Sequence, residues 1–258
     1  MKKYFYLFIV LLSITIICPQ NIVLATAYTT ETNLDSFFGN ESGCAVFLDD
    51  DKKEYKVYNP QMINEKVSPC STFKIVLTLA GLKYGVLKNE NTLIKWDGIK
   101  RSFDNWNQDL TLKDAFRYSA GWYFAKVAEM IGHNNLTQFV KSINYGNCDT
   151  SSGGKFWLDS SLKISPKEQV DFLRRLLNGN LDINPSYIDT LKQIMCSEEN
   201  KISDDYILGK TGSNGNNIGW FVGKYKSTYF AIRLIEGENV SGLKAREILK
   251  SLIINGKI

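Results

Sequence analysis

The sequence has a single histidine, His133, among its 258 residues. A Ser-His-Asp hydrolase would have to use it, because imidazole is the base of that triad. Its setting, Met130-Ile131-Gly132-His133-Asn134, reads as the end of a helix, where a histidine caps or faces solvent. Any nucleophilic chemistry in this chain therefore calls for a different base. Cysteine is also sparse: there are five, with no C-x-x-C and no Cys/His pairing, so no metal site is expected. Cys18 lies in the N-terminal stretch. Cys44, Cys70, Cys148 and Cys196 are expected to be small buried residues rather than a disulfide framework. The net charge of +4 is spread along the chain with no dense basic cluster, which excludes nucleic acid as a partner. Repeats and low-complexity tracts are missing too. What is present, 44% hydrophobic and 12% aromatic residues, suffices for one sizeable core or two lobes sharing a cleft.

Long apolar runs are confined to the N-terminus. Lys2 and Lys3 precede an apolar stretch over residues 4–18, followed by Ala25-Thr26-Ala27. A basic start, a short apolar segment and an A-x-A site describe a secretory signal peptide over residues 1–27, cleaved after Ala27. Pro19, Gln20 and Asn21 interrupt the run too early for a comfortable membrane span, and bulky Ile17 argues against a lipoprotein signal at Cys18. An uncleaved anchor is the alternative. Residues 28–258 are then one domain outside the cytoplasm, with no stable membrane insertion.

Within that domain, residues 43–49 and 54–58 read as a β-hairpin turning at Asp50-Asp51-Lys52-Lys53. From Ser71 to about Asn200 the pattern is mainly helical. Residues 206–210, 218–225 and 228–235 read as strands, and 242–254 as a closing amphipathic helix. Strands from both ends around a helical middle predict an α/β fold of the α+β type. Its single antiparallel sheet is flanked by helices, and a cleft separates the sheet from the helical insertion.

Four S-x-x-K strings occur, but only Ser71-Thr72-Phe73-Lys74 opens a segment that is apolar nearly all round, Ile75 to Leu82. Such a helix belongs in a core. Ser71 would sit at its N-terminus, and Lys74 would share a face with it one turn on. A lysine forced into apolar surroundings loses its proton readily, and a neutral amine activates a serine without histidine. Lys210-Thr211-Gly212, the one K-[ST]-G of the chain, follows a strand-like segment. There it brings a cation, a hydroxyl and a residue that admits close approach to the backbone. Ser119-Ala120-Gly121, Tyr145-Gly146-Asn147 and Trp157-Leu158 lie between the two.

The order of these five elements resembles the class D, oxacillinase-type serine β-lactamases, from about Gly43 to the C-terminus. S-D-N and E-x-x-L-N, expected of a class A enzyme, are absent from the chain. The resemblance implies a serine β-lactamase or penicillin-binding transpeptidase-like fold, a small-molecule β-lactam substrate, and no cofactor beyond CO2. In that family the S-x-x-K lysine, here Lys74, reacts with CO2 to a carbamate (N6-carboxylysine) that serves as general base. Ser71 would be the nucleophile, and the N–H groups of Ser71 and Ser213 the oxyanion hole. Ser119 would pass a proton to the lactam nitrogen, with Lys210 assisting. Trp157 would donate its indole N–H to the carbamate. Thr211, Gly212, Ser213 and Arg246 would hold the substrate, and Tyr145, Gly146 and Asn147 would shape the loop beneath.

One position departs from the pattern: Gly121 stands where the family's S-x-V has a branched apolar residue. The related extracellular domain of membrane-bound β-lactam sensors also lacks that residue and stays acylated. A sensor is therefore the alternative to a hydrolase, and a penicillin-binding transpeptidase a third reading. The sensors carry a long multi-span region ahead of this domain, whereas the 27 residues ahead of it here read as a signal. The Lys- and Asn-rich composition fits a Gram-positive source, where the secreted protein could associate with the cell surface.

Overall fold

Of the strand segments, those over residues 43–48, 218–223 and 229–235 are apolar or glycine at nearly every position rather than at alternate ones, as expected at the centre of a sheet covered on both faces. In the computed structural model, which describes residues 28–215 and 217–258, the strands build one six-stranded sheet. In spatial order it comprises β1 (Tyr28–Glu31), β3 (Glu54–Tyr58), β2 (Ser42–Asp49), β10 (Thr228–Glu236), β9 (Ile218–Tyr225) and β8 (Leu208–Asn214). Four pairings are antiparallel, but β1 runs parallel to β3. The all-antiparallel expectation is thus corrected at one edge. A four-residue strand carries too little pattern to be seen, and only its tertiary partner defines it.

Alternation along each strand divides the core. Tyr229 and Ala231 join Cys44, Val46 and Leu48 on one face, while Phe230, Ile232 and Leu234 join Ala45 and Phe47 on the other. The second face is covered by α1 (Asp35–Phe38) and α8 (Gly242–Ile254), the latter through Ile248, Leu249 and Leu252. The first face meets α2 (Lys74–Lys83) and α6 (Pro166–Leu177), whose start is fixed by a Ser165/Glu168 capping box. Around α2 pack α3 (Leu112–Arg117), α4 (Gly121–Ile131), α5 (His133–Ser142) and α7 (Pro185–Met195). Two small ladders complete the insertion: β4 (Leu93–Ile94) with β5 (Leu110–Thr111), and β6 (Lys201–Ile202) with β7 (Asp205–Tyr206).

Several expectations need adjustment. β8 continues past Lys210 to Asn214, so Lys210-Thr211-Gly212 lies inside a strand. Glycine weakens a strand, but at Gly212 it allows close packing. A Cβ there would come within 3.1 Å of Thr72 and 3.2 Å of the Pro69 carbonyl. His133 is exposed, as expected, yet it begins α5 rather than ending α4; Gly132, at φ +81°, makes the break. The four cysteines among the described residues are all free. Cys44 and Cys70 are buried, whereas Cys148, in a loop, and Cys196, at a helix end, are only half-buried. Among the described residues no helix is long and apolar enough to cross a membrane, and no cluster of three His, Cys, Asp or Glu could hold a metal. The signal-peptide stretch, residues 1–27, lies outside the described residues.

Candidate active site

Ser71 sits in a short helical turn, Cys70–Phe73, that leads directly into α2. Cys70 is held at φ +51°, a conformation that costs a non-glycine residue about 1 kcal/mol or more. Its surroundings hold it there: the side chain is fully buried and its N–H donates to the Trp157 carbonyl at 3.1 Å. Neighbouring Thr72 and Phe73 are buried, leaving Ser71 half-exposed.

Lys74 lies one turn on, with Nζ 2.5 Å from Ser71 Oγ and 4% of the residue exposed. Every residue of α2 from Lys74 to Leu82 is buried, which is why its sequence is apolar all round. Burial pushes the Lys74 ammonium from its usual 10.5 down to about 7. Cys70 works against that shift and, less than Cys70, the charge of Lys155 works with it. Among the described residues Lys74 has no carboxylate ion-pair partner. A buried amine poised between its charged and neutral forms is therefore in hydrogen-bond contact with a serine hydroxyl.

β8 brings a second buried cation. Lys210, also 4% exposed, places Nζ 3.1 Å from Ser119 Oγ and 3.1 Å from the Thr211 carbonyl. Burial, then the charges of Lys74 and Arg246, hold Lys210 well below the usual lysine range. Ser119 occupies the link between α3 and α4 at φ +54°. Gly121 follows as the first residue of α4. The ring of Trp106 covers it, and a Cβ at position 121 would lie 3.4 and 3.5 Å from that ring. A cavity of about 640 Å³ opens beside them, lined also by Trp122, Lys155 and Leu158.

Trp157 is buried and stacks on Phe73 with ring centroids 5.3 Å apart. The loop around it is held as the Tyr145-Gly146-Asn147 motif suggests. Asn147 Nδ2 donates to the Ser161 carbonyl and Asn147 Oδ1 accepts from Lys163 N–H. Gly146, at φ +59°, passes so close that a Cβ would lie 2.2 Å from the Lys163 carbonyl oxygen. Tyr145 is buried, its hydroxyl 3.4 Å from Gln169 Oε1.

Thr211 and Ser213 leave β8 on the face opposite Lys210. Ser213 Oγ accepts from the Gly242 N–H at 2.9 Å, seating the first turn of α8 on β8. That contact brings half-buried Arg246 beside Lys210 and Thr211, around a cavity of about 30 Å³. Burial lowers the pKa of Arg246, with Glu199 acting weakly against the shift.

The structure thus joins Lys74 to Ser71 and Lys210 to Ser119, lays β8 at Gly212 against Thr72 of the Ser71 turn, and places Arg246 beside Lys210 and Thr211 through the Ser213–Gly242 contact. Sequence reasoning missed what braces the segment before Ser71. Fully buried Arg233 donates to Glu65 Oε2 at 2.6 Å, Trp220 Nε1 donates to the Ser68 carbonyl at 3.0 Å, and Ser68 Oγ donates to the Trp157 carbonyl at 2.8 Å. Gln169 likewise donates to Thr72 Oγ1 at 2.9 Å. Trp106 above Gly121 went unnoticed too. These contacts join residues distant in sequence, and no local pattern announces them.

Residues 20–253 match the family model of the penicillin binding protein transpeptidase domain. The chain is 35% identical to the probable β-lactamase YbxI of Bacillus subtilis (strain 168), over 98% of this chain and 97% of that protein. A crystal structure of a class D β-lactamase from Bacillus subtilis superposes with a TM-score of 0.81 at 34% identity, covering 87% of this chain and 95% of that one. The C-terminal domain of the Bacillus licheniformis BlaR penicillin-receptor is also similar, with a TM-score of 0.82 at 31% identity over 91% and 99% of the two chains. With Lys74 in contact with Ser71 and Lys210 in contact with Ser119 in this fold, the chain belongs to the penicillin binding protein transpeptidase domain family and, within it, to the class D β-lactamases.

Proposed function

We propose that this protein hydrolyses β-lactams through an acyl-enzyme on Ser71, with Lys74 in its carboxylated form as general base. The observation that carries the reading is the contact between Ser71 Oγ and a buried Lys74 amine whose pKa is pressed to about 7. A lysine kept neutral in a dry site is the form that reacts with CO2. The nearby positive charges of Lys210 and Lys155 suit the resulting anion. Trp157, buried against Phe73, has an indole N–H to offer.

Ser71 Oγ attacks the lactam carbonyl as its proton passes to Lys74. The N–H groups of Ser71 and Ser213 receive the oxyanion; β8 is an edge strand, so half of its backbone groups face away from β9. Ser119, in contact with Lys210, hands a proton to the departing nitrogen. Thr211, Ser213 and Arg246 take the substrate carboxylate. Ser213 Oγ already accepts from Gly242 N–H, which leaves its hydroxyl proton free to donate. Lys74 then draws a proton from the water that releases the product. Residues 1–27 act as a signal peptide, and N-terminal sequencing of secreted protein starting elsewhere than Tyr28 would refute that assignment.

A second reading is favoured by Gly121 and by the BlaR similarity: acylation without release, as a sensor behaves. Incubation with a chromogenic cephalosporin followed by intact mass separates the two. Many turnovers with a clean final mass support the hydrolase; a persistent one-to-one adduct supports the sensor. Labelling that survives Ser71→Ala would remove Ser71 as the nucleophile.

A further inference from the structure

Among the described residues, three cations and a single carboxylate line the cavity of about 30 Å³ beside Thr211: Arg117, Lys210, Arg246 and Glu199. Glu199 belongs to a short helical turn, Glu198–Asn200, and the last residue of that turn fastens it in place. Buried Asn200 donates from Nδ2 to the Met195 carbonyl and to the Gly209 carbonyl, each at 3.2 Å. Gly209 immediately precedes Lys210, so the carboxylate is carried on a braced turn beside β8. Arg117 engages one of its oxygens, with Nε and Nη2 both 2.7 Å from Oε1. The other oxygen, Oε2, is buried with no hydrogen-bond partner among the described residues. A buried carboxylate oxygen left unpaired is costly, so its placement calls for a reason. On the same cavity Arg246 is half-buried and has no ion-pair partner among the described residues. Burial lowers its pKa, and of the charges that oppose the change Glu199 acts more strongly than Glu247, the neighbour of Arg246 on α8.

We propose that Glu199 is a positioning residue for the substrate-carboxylate clamp: its unpaired oxygen supplies the countercharge that keeps the Arg246 guanidinium beside Lys210 and Thr211. Without it, Arg117, Lys210 and Arg246 repel one another across a water-sized space, and Arg246 turns out toward solvent. A guanidinium held in place before substrate arrives spares the cost of ordering it on binding. Glu199 acts through Arg246 and not on the substrate. The inference rests on the reading given above in which Arg246 takes the substrate carboxylate.

The test is a double-mutant cycle of Glu199→Gln and Arg246→Ala. The quantity read is the β-lactam concentration that gives half the maximal rate of acyl-adduct formation, by rapid quench and intact mass. It needs no turnover, so it serves for a hydrolase and a sensor alike. The Glu199 side chain is 35% exposed, which leaves room for the isosteric amide. With Arg246 present, Glu199→Gln should raise the half-saturating concentration about three- to ten-fold at an unchanged maximal rate, the size expected of one partly solvated charge. On the Arg246→Ala background it should change nothing further. Glu199→Asp, which keeps the charge, should lie nearer to wild type than Glu199→Gln. A merely structural Glu199, tying Arg117 to the turn, would lower Tm and act equally on both backgrounds. The inference is overturned by an unmoved half-saturating concentration in Glu199→Gln, by equal effects on the two backgrounds, or by Glu199→Asp falling at or beyond Glu199→Gln. Half-saturation unmoved by Arg246→Ala alone overturns the carboxylate-clamp reading itself, and this inference with it.

Discussion

Turnover should have an acid limb whose position depends on dissolved CO2. With Lys74 near 7, about a tenth of the molecules carry the free amine at pH 6, and about a hundredth at pH 5. Converting the ammonium to a carbamate releases two protons, one when the amine is unmasked and one when the N–C bond forms. At fixed dissolved CO2 the ratio of carbamate to ammonium therefore falls about a hundredfold per pH unit on the acid side. The same stoichiometry means that about tenfold more CO2 moves the midpoint down by about half a pH unit. The assay is kcat/KM for a chromogenic cephalosporin between about pH 5 and about pH 8, at two fixed CO2 pressures, after the protein has re-equilibrated. Lys210 is also held below its usual range, so an acid limb alone does not identify the titrating group. In the proposed reading, Lys74 is the group that consumes CO2. A midpoint that stays in place when the CO2 pressure changes tenfold refutes the carboxylated base and leaves Lys74 as an unmodified amine.

Replacing Arg246 with alanine should raise KM about tenfold or more while changing kcat little, because the contact is shared by ground and transition states; steady-state kinetics with an unchanged KM would move the carboxylate site elsewhere. Gly121→Val places a Cβ at ordinary contact distances of 3.4 and 3.5 Å from the Trp106 ring, and it should lower the CO2 needed for half-maximal turnover. A CO2 requirement equal to wild type would show that Gly121 does not expose the base. Gly146→Ala combines a left-handed backbone at φ +59° with a Cβ placed 2.2 Å from the Lys163 carbonyl oxygen. A loss of about 3 kcal/mol, or about 6–12 °C in Tm, is expected by calorimetry. A Tm within a degree or two of wild type would contradict the close packing of that loop.

Local sequence was enough wherever a function depends on neighbours in the chain. Ser71 and Lys74 share a face because they are three residues apart at the start of a helix, and that helix is legible because residues 75–82 have no polar side to turn to water. Helix α8 and strands β3 and β9 were likewise written in their apolar periodicity and turn residues, over the same spans the structure shows. The class D order of short motifs added what no single segment carries: the expectation that Lys210 and Ser119 belong together, and the structure puts them in hydrogen-bond contact. Tertiary structure decided the rest. The parallel edge strand β1 exists only through its pairing with β3, and β8 extends through Gly212 because the missing side chain lets it lie against Thr72 and Pro69. Arg233, Trp220 and Gln169 brace the Ser71 segment from 97 to 168 residues away. The depressed pKa of Lys74 and the placement of Arg246 by the Ser213–Gly242 contact both depend on burial and on distances through space. Desolvation and Coulomb interaction act between side chains that only the folded chain brings together, so no reading of linear order could supply them.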